Sequence, residues 1–438
     1  MKVSEVVGTI DSNVTELSPE NRFNNERLRI LIVALNYAPE LVGCAKYTTE
    51  FAEELVARGH KVEVVTGPPY YPAWSVASGY SGARWSNETL NNVVVHRTPL
   101  YVPPRPDAFK RMMHLASFGA AALPAALGVA LRFKPDLVFA VAPTLAAAST
   151  ALVAAKASGA SSWLHIQDFE VDAAFDLNML KNTIGRAMAL RVESSLFRTF
   201  DRVSSISPAM IQRLAAKGVS TDKIVEFRNW VDVDAVQVFA SPNTRYRQEL
   251  GIPDDQIVAL YSGNMAGKQG LEVLAQVAKN LKAALAPVSL LLCGEGPARL
   301  ALEVSCKDID TVHFLPLQPM ERLPELLGTA DIHLLPQRPE AADLVLPSKL
   351  TGMLASGRPV VAMASEGTGL AYEVDGCGLV VAPDAEAMTT AILRLAEDPD
   401  LRRTLGAAGR LRAETRWRKS AIIDGFEEAC FAYGPKAL

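Results

Sequence analysis

From Leu28 onward, short apolar runs alternate with longer stretches of helical period, and the alternation stops and restarts once. This pattern leaves little choice of fold. Short runs that are apolar throughout make strands buried on both faces, and helix-length connections between them make those strands parallel, with helices covering the sheet on each side. The first series of predicted strands is 28–35, 62–66, 93–97, 137–141, 162–166 and 202–206, with amphipathic helices such as 46–58 between them. A Pro- and Arg-containing stretch over 228–253 interrupts it. The second series is 257–261, 288–293, 312–315, 332–335, 359–363 and 379–381. A chain of 438 residues exceeds one hydrophobic core, so each series is read as its own domain. The expected organisation is a mobile tail over 1–27, α/β doubly wound domains over 28–240 and 241–416, and a helical segment over 417–438 that can pack back across the seam. Two such domains face each other across a cleft, and ligands bind open parallel sheets at the carboxyl ends of the strands.

Composition removes several function classes. With 44 Lys plus Arg against 48 Asp plus Glu, no overall field favours a polyanion, so a nucleic-acid partner is not expected. The five cysteines lie far apart without a CxxC pair, which argues against a disulfide framework or a zinc site and for the reducing cytosol. The uncharged run 115–131 contains Pro124 and falls short of the roughly 20 apolar residues of a membrane span, so no transmembrane helix is predicted. GxGxxG and GxxxxGK[ST] are both absent, which demotes nicotinamide enzymes and P-loop NTPases.

The loops after the predicted strands carry the chemistry. The first, Asn36 to Tyr47, holds Gly43 and Lys46 where a helix opens, so backbone amides and the helix dipole can meet an anion there. An ordinary turn with a positive-φ glycine reads the same way. In the second domain, Tyr261-Ser-Gly263-Asn264-Met-Ala-Gly267-Lys268-Gln269-Gly270 suits a diphosphate, with Lys268 as a point charge. Cys293-Gly294-Glu295-Gly296-Pro297 brackets an acid between glycines, and Phe314 lies on a strand that can present its edge to a nucleobase. Asp343 precedes a loop in which Ser348 and Lys349 open a helix, and Gly367, Thr368 and Gly369 form a further glycine turn. Several such loops at successive strand ends of one sheet point to a nucleotide-diphosphate site.

These residues resemble retaining glycosyltransferases of the GT-B fold, family four, over nearly the whole chain. The resemblance rests on Tyr37-Ala-Pro-Glu-Leu-Val-Gly with Lys46-Tyr47, His60-Lys-Val-Glu-Val-Val-Thr-Gly-Pro-Pro-Tyr-Tyr-Pro, His165-Ile-Gln-Asp168, Arg228-Asn-Trp-Val-Asp232, Lys268-Gln-Gly-Leu, Gly294-Glu-Gly-Pro, and Leu346-Pro-Ser-Lys-Leu with Ala355-Ser-Gly-Arg-Pro-Val-Val. Within the family the chain looks most like the enzymes of colanic acid and related exopolysaccharide synthesis. It implies a nucleotide sugar (GDP- or UDP-linked) in the second domain, an acceptor in the first, and retaining transfer without metal or cofactor. One departure stands out. Most members carry two glutamates eight positions apart, and here those slots hold Leu344 and Gly352, so Glu340, Asp343 or Lys349 is the expected substitute.

The resemblance places His165 and Asp168 near the acceptor or donor sugar; the alternative is a histidine satisfied by the backbone and a capping aspartate. Catalysis is thus expected from His165, Asp168 and Lys268. Donor binding is expected from Gly43, Gly263, Asn264, Lys268, Glu295, Phe314, Asp343, Ser348, Lys349, Gly367, Thr368 and Gly369, and acceptor binding from Lys46, Tyr47, Tyr70 and Tyr71. The aromatic pair can stack on a sugar ring or close a hydrophobic loop. The acceptor expected is a polyprenyl-linked saccharide, with Arg105, Lys110 and Arg132 around an alanine-rich run able to touch the inner membrane surface. A buried helix of the first domain explains that run equally well. Other functional classes are a sugar-nucleotide epimerase on the same fold and a silent nucleotide-sugar-binding protein.

Overall fold

A computed structural model describes residues 27–40, 43–142, 144–169, 183–239, 244–265, 269–338 and 347–432. The first sheet contains β1 (Arg29–Ala34), β2 (Lys61–Thr66), β3 (Ser86–Leu90), β4 (Val93–Arg97), β5 (Leu137–Ala142), β6 (Ser161–Ile166), β7 (Arg202–Ser205) and β8 (Ile224–Glu226). Their order is β3-β4-β2-β1-β5-β6-β7-β8. All neighbours are parallel except β3 and β4. The second sheet contains β9 (Ile257–Ser262), β10 (Val288–Cys293), β11 (Val312–Leu315), β12 (Ile332–Leu335), β13 (Val360–Met363) and β14 (Gly378–Val381). It is parallel throughout, in the order β11-β10-β9-β12-β13-β14.

The apolar runs become the central strands because both of their faces are covered: every residue of β5 and β10 is buried. On one side of the first sheet lie the helices α2 (Ala108–Phe133) and α3 (Leu145–Ser158), whose Ala122, Ala126, Ala147 and Ala151 are fully buried. Small side chains let two helices and a sheet approach closely. On the other side lies α1 (Cys44–Ala57), which buries Phe51, Ala52 and Leu55. Two strands escape the apolar pattern. β3 is the polar edge segment Ser-Asn-Glu-Thr-Leu, and β8 has three residues, neither offering a buried face. The hairpin carries a signal nonetheless, since Asn91 and Asn92 between β3 and β4 both have positive φ, as a two-residue primed turn requires.

The chain crosses between domains twice, and the crossings touch. Phe227 and Trp230 pack in the first core, whereas Val231, Val233 and Val236 pack in the second, ahead of the expected boundary at residue 240. The return strand runs beside it: Val231 N–H donates to the Trp417 carbonyl at 2.9 Å. The last helix, Lys419–Phe431, then lies on the first domain. Its Phe426 meets Phe51 at 4.8 Å and Trp163 at 4.9 Å between ring centroids. Arg58 pairs with Asp424 and Glu427 at 2.5 and 2.7 Å, and His60 Nε2 meets Glu427 at 2.7 Å. Leu28 N–H donates to His60 Nδ1 at 3.0 Å, which leaves Nε2 as the ring nitrogen that carries the proton and donates.

Candidate active site

In each sheet the first strand, β1 or β9, has chain-order neighbours on one side and a crossover partner, β5 or β12, on the other. The loops leaving these strands therefore sit at the topological switch points, where the helices diverge and a crevice opens. Both loops singled out above, Asn36 to Tyr47 and Tyr261 to Gly270, occupy these positions.

The loop after β1 is organised by a carboxylate that sequence reading assigned no role. Glu40 is buried, and its Oε1 accepts the N–H groups of Tyr70 and Tyr71, both at 2.7 Å, while Oε2 accepts from Asn36 Nδ2 at 2.9 Å. Burial raises its pKa against the pull of those donors. Glu40 thus ties the loop after β2 to the loop after β1. Its sequence signal was its place in the motif Tyr37-Ala-Pro-Glu-Leu-Val-Gly, which gave it no stated role. Gly43 follows with φ of 61° as the residue before α1, and a side chain there would meet nothing within 4 Å. The glycine is needed for its backbone conformation, and the space over it is open. The first turn of α1 carries no acidic side chain.

Tyr47, one turn into α1, is turned toward the second domain, where the Ser348 side chain is near enough to pull the phenol pKa down against burial. The ring is held edge-on against Trp230 at 5.4 Å, and Trp230 Nε1 donates to Glu50 at 2.7 Å. Burial raises the Tyr47 phenol well above its ordinary range. Lys46 lies half-buried beside it, 3.8 Å from Glu50.

The motif His165-Ile-Gln-Asp168 divides. Asp168 lies just past β6 and its charge acts on Cys44, the first residue of α1, where burial and that carboxylate push the thiol up to about 12. His165 does not face the cleft, which corrects the expectation of a catalytic histidine. It is buried, its Nδ1 meets Ser204 Oγ at 2.9 Å, and its Nε2 meets the Gln167 amide at 2.9 Å. Phe139 stacks on the ring and Phe227 meets it edge-on. Burial lowers its pKa to about 3, so it stays neutral and occupied. Gln167 passes the network to Asn229 through two amide hydrogen bonds of 2.9 and 3.0 Å. Tyr70 is likewise corrected. It packs against Trp74 and His114 inside the first core, and only Tyr71 keeps an exposed ring.

In the second domain the glycines have a packing reason. A Cβ on Gly294 would lie 1.9 Å from the Gly263 carbonyl oxygen, and one on Gly296 would lie 2.6 Å from that of Met265. The loops after β9 and β10 therefore touch backbone to backbone, joined by Gly263 N–H to Cys293 O at 2.9 Å and Met265 N–H to Glu295 O at 2.8 Å. Glu295, just past the end of β10, is exposed and pairs with Arg299 at 3.1 Å, and Phe314 on β11 packs half-buried against the second core. Lys349 does converge on the loop after β9. Its Nζ meets the Tyr261 hydroxyl at 2.9 Å and Gln269 Oε1 at 3.1 Å. It lies so close to the turn that a Cβ on Gly263 would come within 3.2 Å of it. Tyr261 in turn donates to Asn264 O at 2.7 Å, beside the exposed Asn264 side chain. Tyr261 and Gln269 were part of the loop expected to suit a diphosphate, but neither side chain was given a role of its own, because pattern alone does not show that both turn to Lys349.

Gly367 has φ of 80° with open space over it, and Thr368 caps the following turn by accepting from Ala371 N–H at 3.3 Å and donating to Ser365 O at 2.8 Å. Gly369 opens the helix Gly369–Val374. Gly352 stands in the helix Lys349–Ala355 with Leu327 Cδ1 at 3.4 Å from its Cβ position. Lys268, Glu340, Asp343, Leu344 and the tail over 1–26 lie outside the described residues.

Comparison with known proteins matches this architecture domain by domain. Residues 42–230 match the family described as Glycosyl transferase 4-like domain, and residues 242–412 match Glycosyl transferases group 1. The chain is 39% identical over 373 residues to WcaI of Escherichia coli K12, assigned as a colanic acid biosynthesis glycosyl transferase, covering 83% of this chain and 91% of that one. It is 26% identical to a GDP-mannose-dependent alpha-(1-6)-phosphatidylinositol monomannoside mannosyltransferase of Mycolicibacterium smegmatis, covering 91% and 99%. Among solved structures, sucrose-phosphate synthase from Thermosynechococcus elongatus superposes with a TM-score of 0.72 at 20% identity, covering 93% of this chain and all (100%) of that one. Anabaena HepE in complex with UDP and glucose gives 0.66 at 16%, covering 92% and 99%. The chain therefore belongs to this glycosyltransferase family and has its GT-B fold.

Proposed function

We propose that the enzyme transfers a hexosyl unit from a nucleotide diphosphate sugar, GDP- or UDP-linked, to a lipid-linked saccharide in exopolysaccharide synthesis, with retention of configuration and without a metal. One observation carries the reading: a lysine held against a glycine turn at the switch point of the second sheet, next to Ser348, toward which Tyr47 is turned from the first domain. The relatives support the substrate classes. The Escherichia coli protein is assigned to colanic acid, the mycobacterial one uses GDP-mannose and acts on a phosphatidylinositol mannoside, and the Anabaena structure holds UDP and glucose.

The chemistry follows from where charge develops. As the bond between the anomeric carbon and the phosphate oxygen breaks, its electron pair goes to the diphosphate, and the sugar becomes oxocarbenium-like. Fixed donors aimed at the leaving group stabilise that charge as it forms and so lower the barrier most; Lys349, the amides beside Gly263 and Asn264, and Lys268 are the groups proposed for it. Lys349 is already oriented by Tyr261 and Gln269, so little reorganisation is needed during the reaction. The acceptor hydroxyl then bonds to the anomeric carbon from the face the diphosphate leaves, and its proton passes to a phosphate oxygen. No carboxylate nucleophile is required. Asp168, whose charge reaches Cys44 at the start of α1, is proposed to position a sugar hydroxyl.

The test is thermal stability with saturating UDP, GDP, ADP and dTDP, measured on the unmodified protein and on Lys349→Met. A nucleotide at 100 times its Kd stabilises by about 2.7 kcal/mol, which for a domain of this size is roughly 5–10 °C. One nucleotide should give that shift and Lys349→Met should abolish it. A full shift in the variant, or none with any nucleotide in the unmodified protein, would sink the assignment.

A further inference from the structure

The helix that carries Lys349 is held at its other end by a residue that the transfer chemistry leaves unused. Leu350, Thr351, Met353, Leu354 and Ala355 are all buried, so the helix Lys349–Ala355 can move only as a rod. A helix leaves its last carbonyls without partners of its own. Here one of them, Ala355 O, accepts from Arg410 Nη1 at 2.7 Å. The same guanidinium donates to Val236 O at 2.6 Å and to Val233 O at 2.9 Å, and its Nε donates to Glu414 at 2.7 Å. A planar fork of five N–H groups serves three carbonyls and a carboxylate in one fixed geometry, which an ammonium point charge cannot do. The backbones press together beside it. A Cβ on Gly406 would lie 2.1 Å from the Gly357 carbonyl oxygen, and one on Gly409 would lie 3.1 Å from Leu354 Cδ2.

The partners of Arg410 belong to the joint between the domains. Val233 and Val236 lie on the first crossing, where their side chains pack with Leu350, Leu354 and Ala355. Arg410 itself stands on the helix Pro399–Arg416, which leads into the return crossing at Trp417. One guanidinium therefore ties the joint to the far end of the helix that presents Lys349. The helix has 7 residues. At 1.5 Å per residue its length is about 10 Å, so a tilt of about 6° at the Arg410 end moves Lys349 by roughly 1 Å. A shift of that size takes the Lys349 contacts with Tyr261 and Gln269, at 2.9 and 3.1 Å, out of hydrogen-bonding range.

We propose that Arg410 is a positioning residue for the donor site: it fixes the helix Lys349–Ala355 against the interdomain crossing and so sets where the Lys349 ammonium meets a nucleotide diphosphate. The inference rests on the reading of Lys349 as a diphosphate ligand. It adds that the site is braced on the joint, so that the arrangement of the joint and the affinity for the diphosphate act on each other. A staple with no such role would cost stability alone when removed. Arg402, on the same helix, supplies that comparison. It donates to Ala396 O at 2.9 Å and to Leu395 O, the same chemistry spent on the end of the helix Ala385–Glu397 instead.

The test is titration calorimetry of the full chain with UDP and with GDP, well below the melting temperature, beside a thermal melt of each variant. Arg410→Met and Arg402→Met should both lower the melting temperature. Only Arg410→Met should raise the Kd of the nucleotide that binds, by at least about fivefold, against less than about twofold for Arg402→Met. Gly406→Ala, which keeps Arg410 but wedges a methyl group against Gly357, should raise the Kd as well, and Arg410→Lys, which keeps a charged donor without the fork, should fall between. If Arg410→Met does not fold, Arg410→Lys against Arg402→Lys makes the same comparison. An unchanged Kd in Arg410→Met, or an equal rise in Arg402→Met, would overturn the inference. Loss of binding in Lys349→Met with no change in Arg410→Met would strike this inference alone. If the unmodified protein binds neither nucleotide, or Lys349→Met binds as well as it does, the donor-site reading falls and takes this one with it.

Discussion

Glu373 joins the two domains, and replacing it with Gln tests whether the double crossing is a load on stability. Its carboxylate is buried, with Oε1 accepting from Arg228 at 2.8 Å and Oε2 from Arg416 at 2.7 Å. Arg228 follows β8, between two residues of the first core, and Arg416 ends the helix that leads back to the first domain. Removing one partner of a buried ion pair costs about 3–5 kcal/mol. The lower end applies, because the Arg416 side chain is 33% exposed and Arg228 keeps Glu226 at 2.5 Å. Glutamine also turns an N–H donor toward a guanidinium. About 3 kcal/mol corresponds to roughly 6–12 °C in the transition of a domain of this size. Scanning calorimetry of Glu373→Gln should show that fall, and Arg228→Met in the same background should add much less than it does alone. A fall below about 2 °C, or full additivity, would refute the account of this joint.

Acid should destabilise the fold through two buried histidines. Burial lowers both His165 and His333 from 6.5 to about 3, so the unfolded chain binds protons that the folded one does not. Their contribution is complete above pH 6.5 and is lost as pH falls toward 3, on the order of 1–2 kcal/mol each by pH 5. Urea midpoints at pH 7.5 and 5 should show the loss, and His165→Gln should reduce it; an equal loss in the variant would be contrary. Glu40→Ala should strand two amides at a cost of about 1–3 kcal/mol and speed hydrogen exchange at Tyr70 and Tyr71, with unchanged exchange there as the opposing result. Trp230→Phe should strand the Glu50 carboxylate that its indole N–H now reaches at 2.7 Å and cost about 1–3 kcal/mol, and an unchanged urea midpoint would be contrary.

Most of the scaffold was legible because central strands of a parallel sheet must be apolar throughout. The segments 288–293, 312–315 and 332–335 emerge with the limits the pattern gave them. β3 and β8 were not legible, since an edge strand with little buried surface has no apolar signature. The site was half legible. Glycine loops marked the right strand ends, but a glycine needed for backbone packing, such as Gly294, reads the same as one needed to approach a ligand. His165 shows the same limit from the other side, because a buried histidine and a catalytic one share a letter and differ only in partners.

The sequence by itself determined two doubly wound domains, the switch-point loops and the family, since periodicity and local turn chemistry act over a few residues. Tertiary structure alone decided which side chains meet. Glu40 finds the Tyr70 and Tyr71 amides, Lys349 finds Tyr261 and Gln269, and Trp230 finds Glu50. Each of these pairings spans 30 residues or more, and only the packed sheet order brings its members within hydrogen-bonding distance.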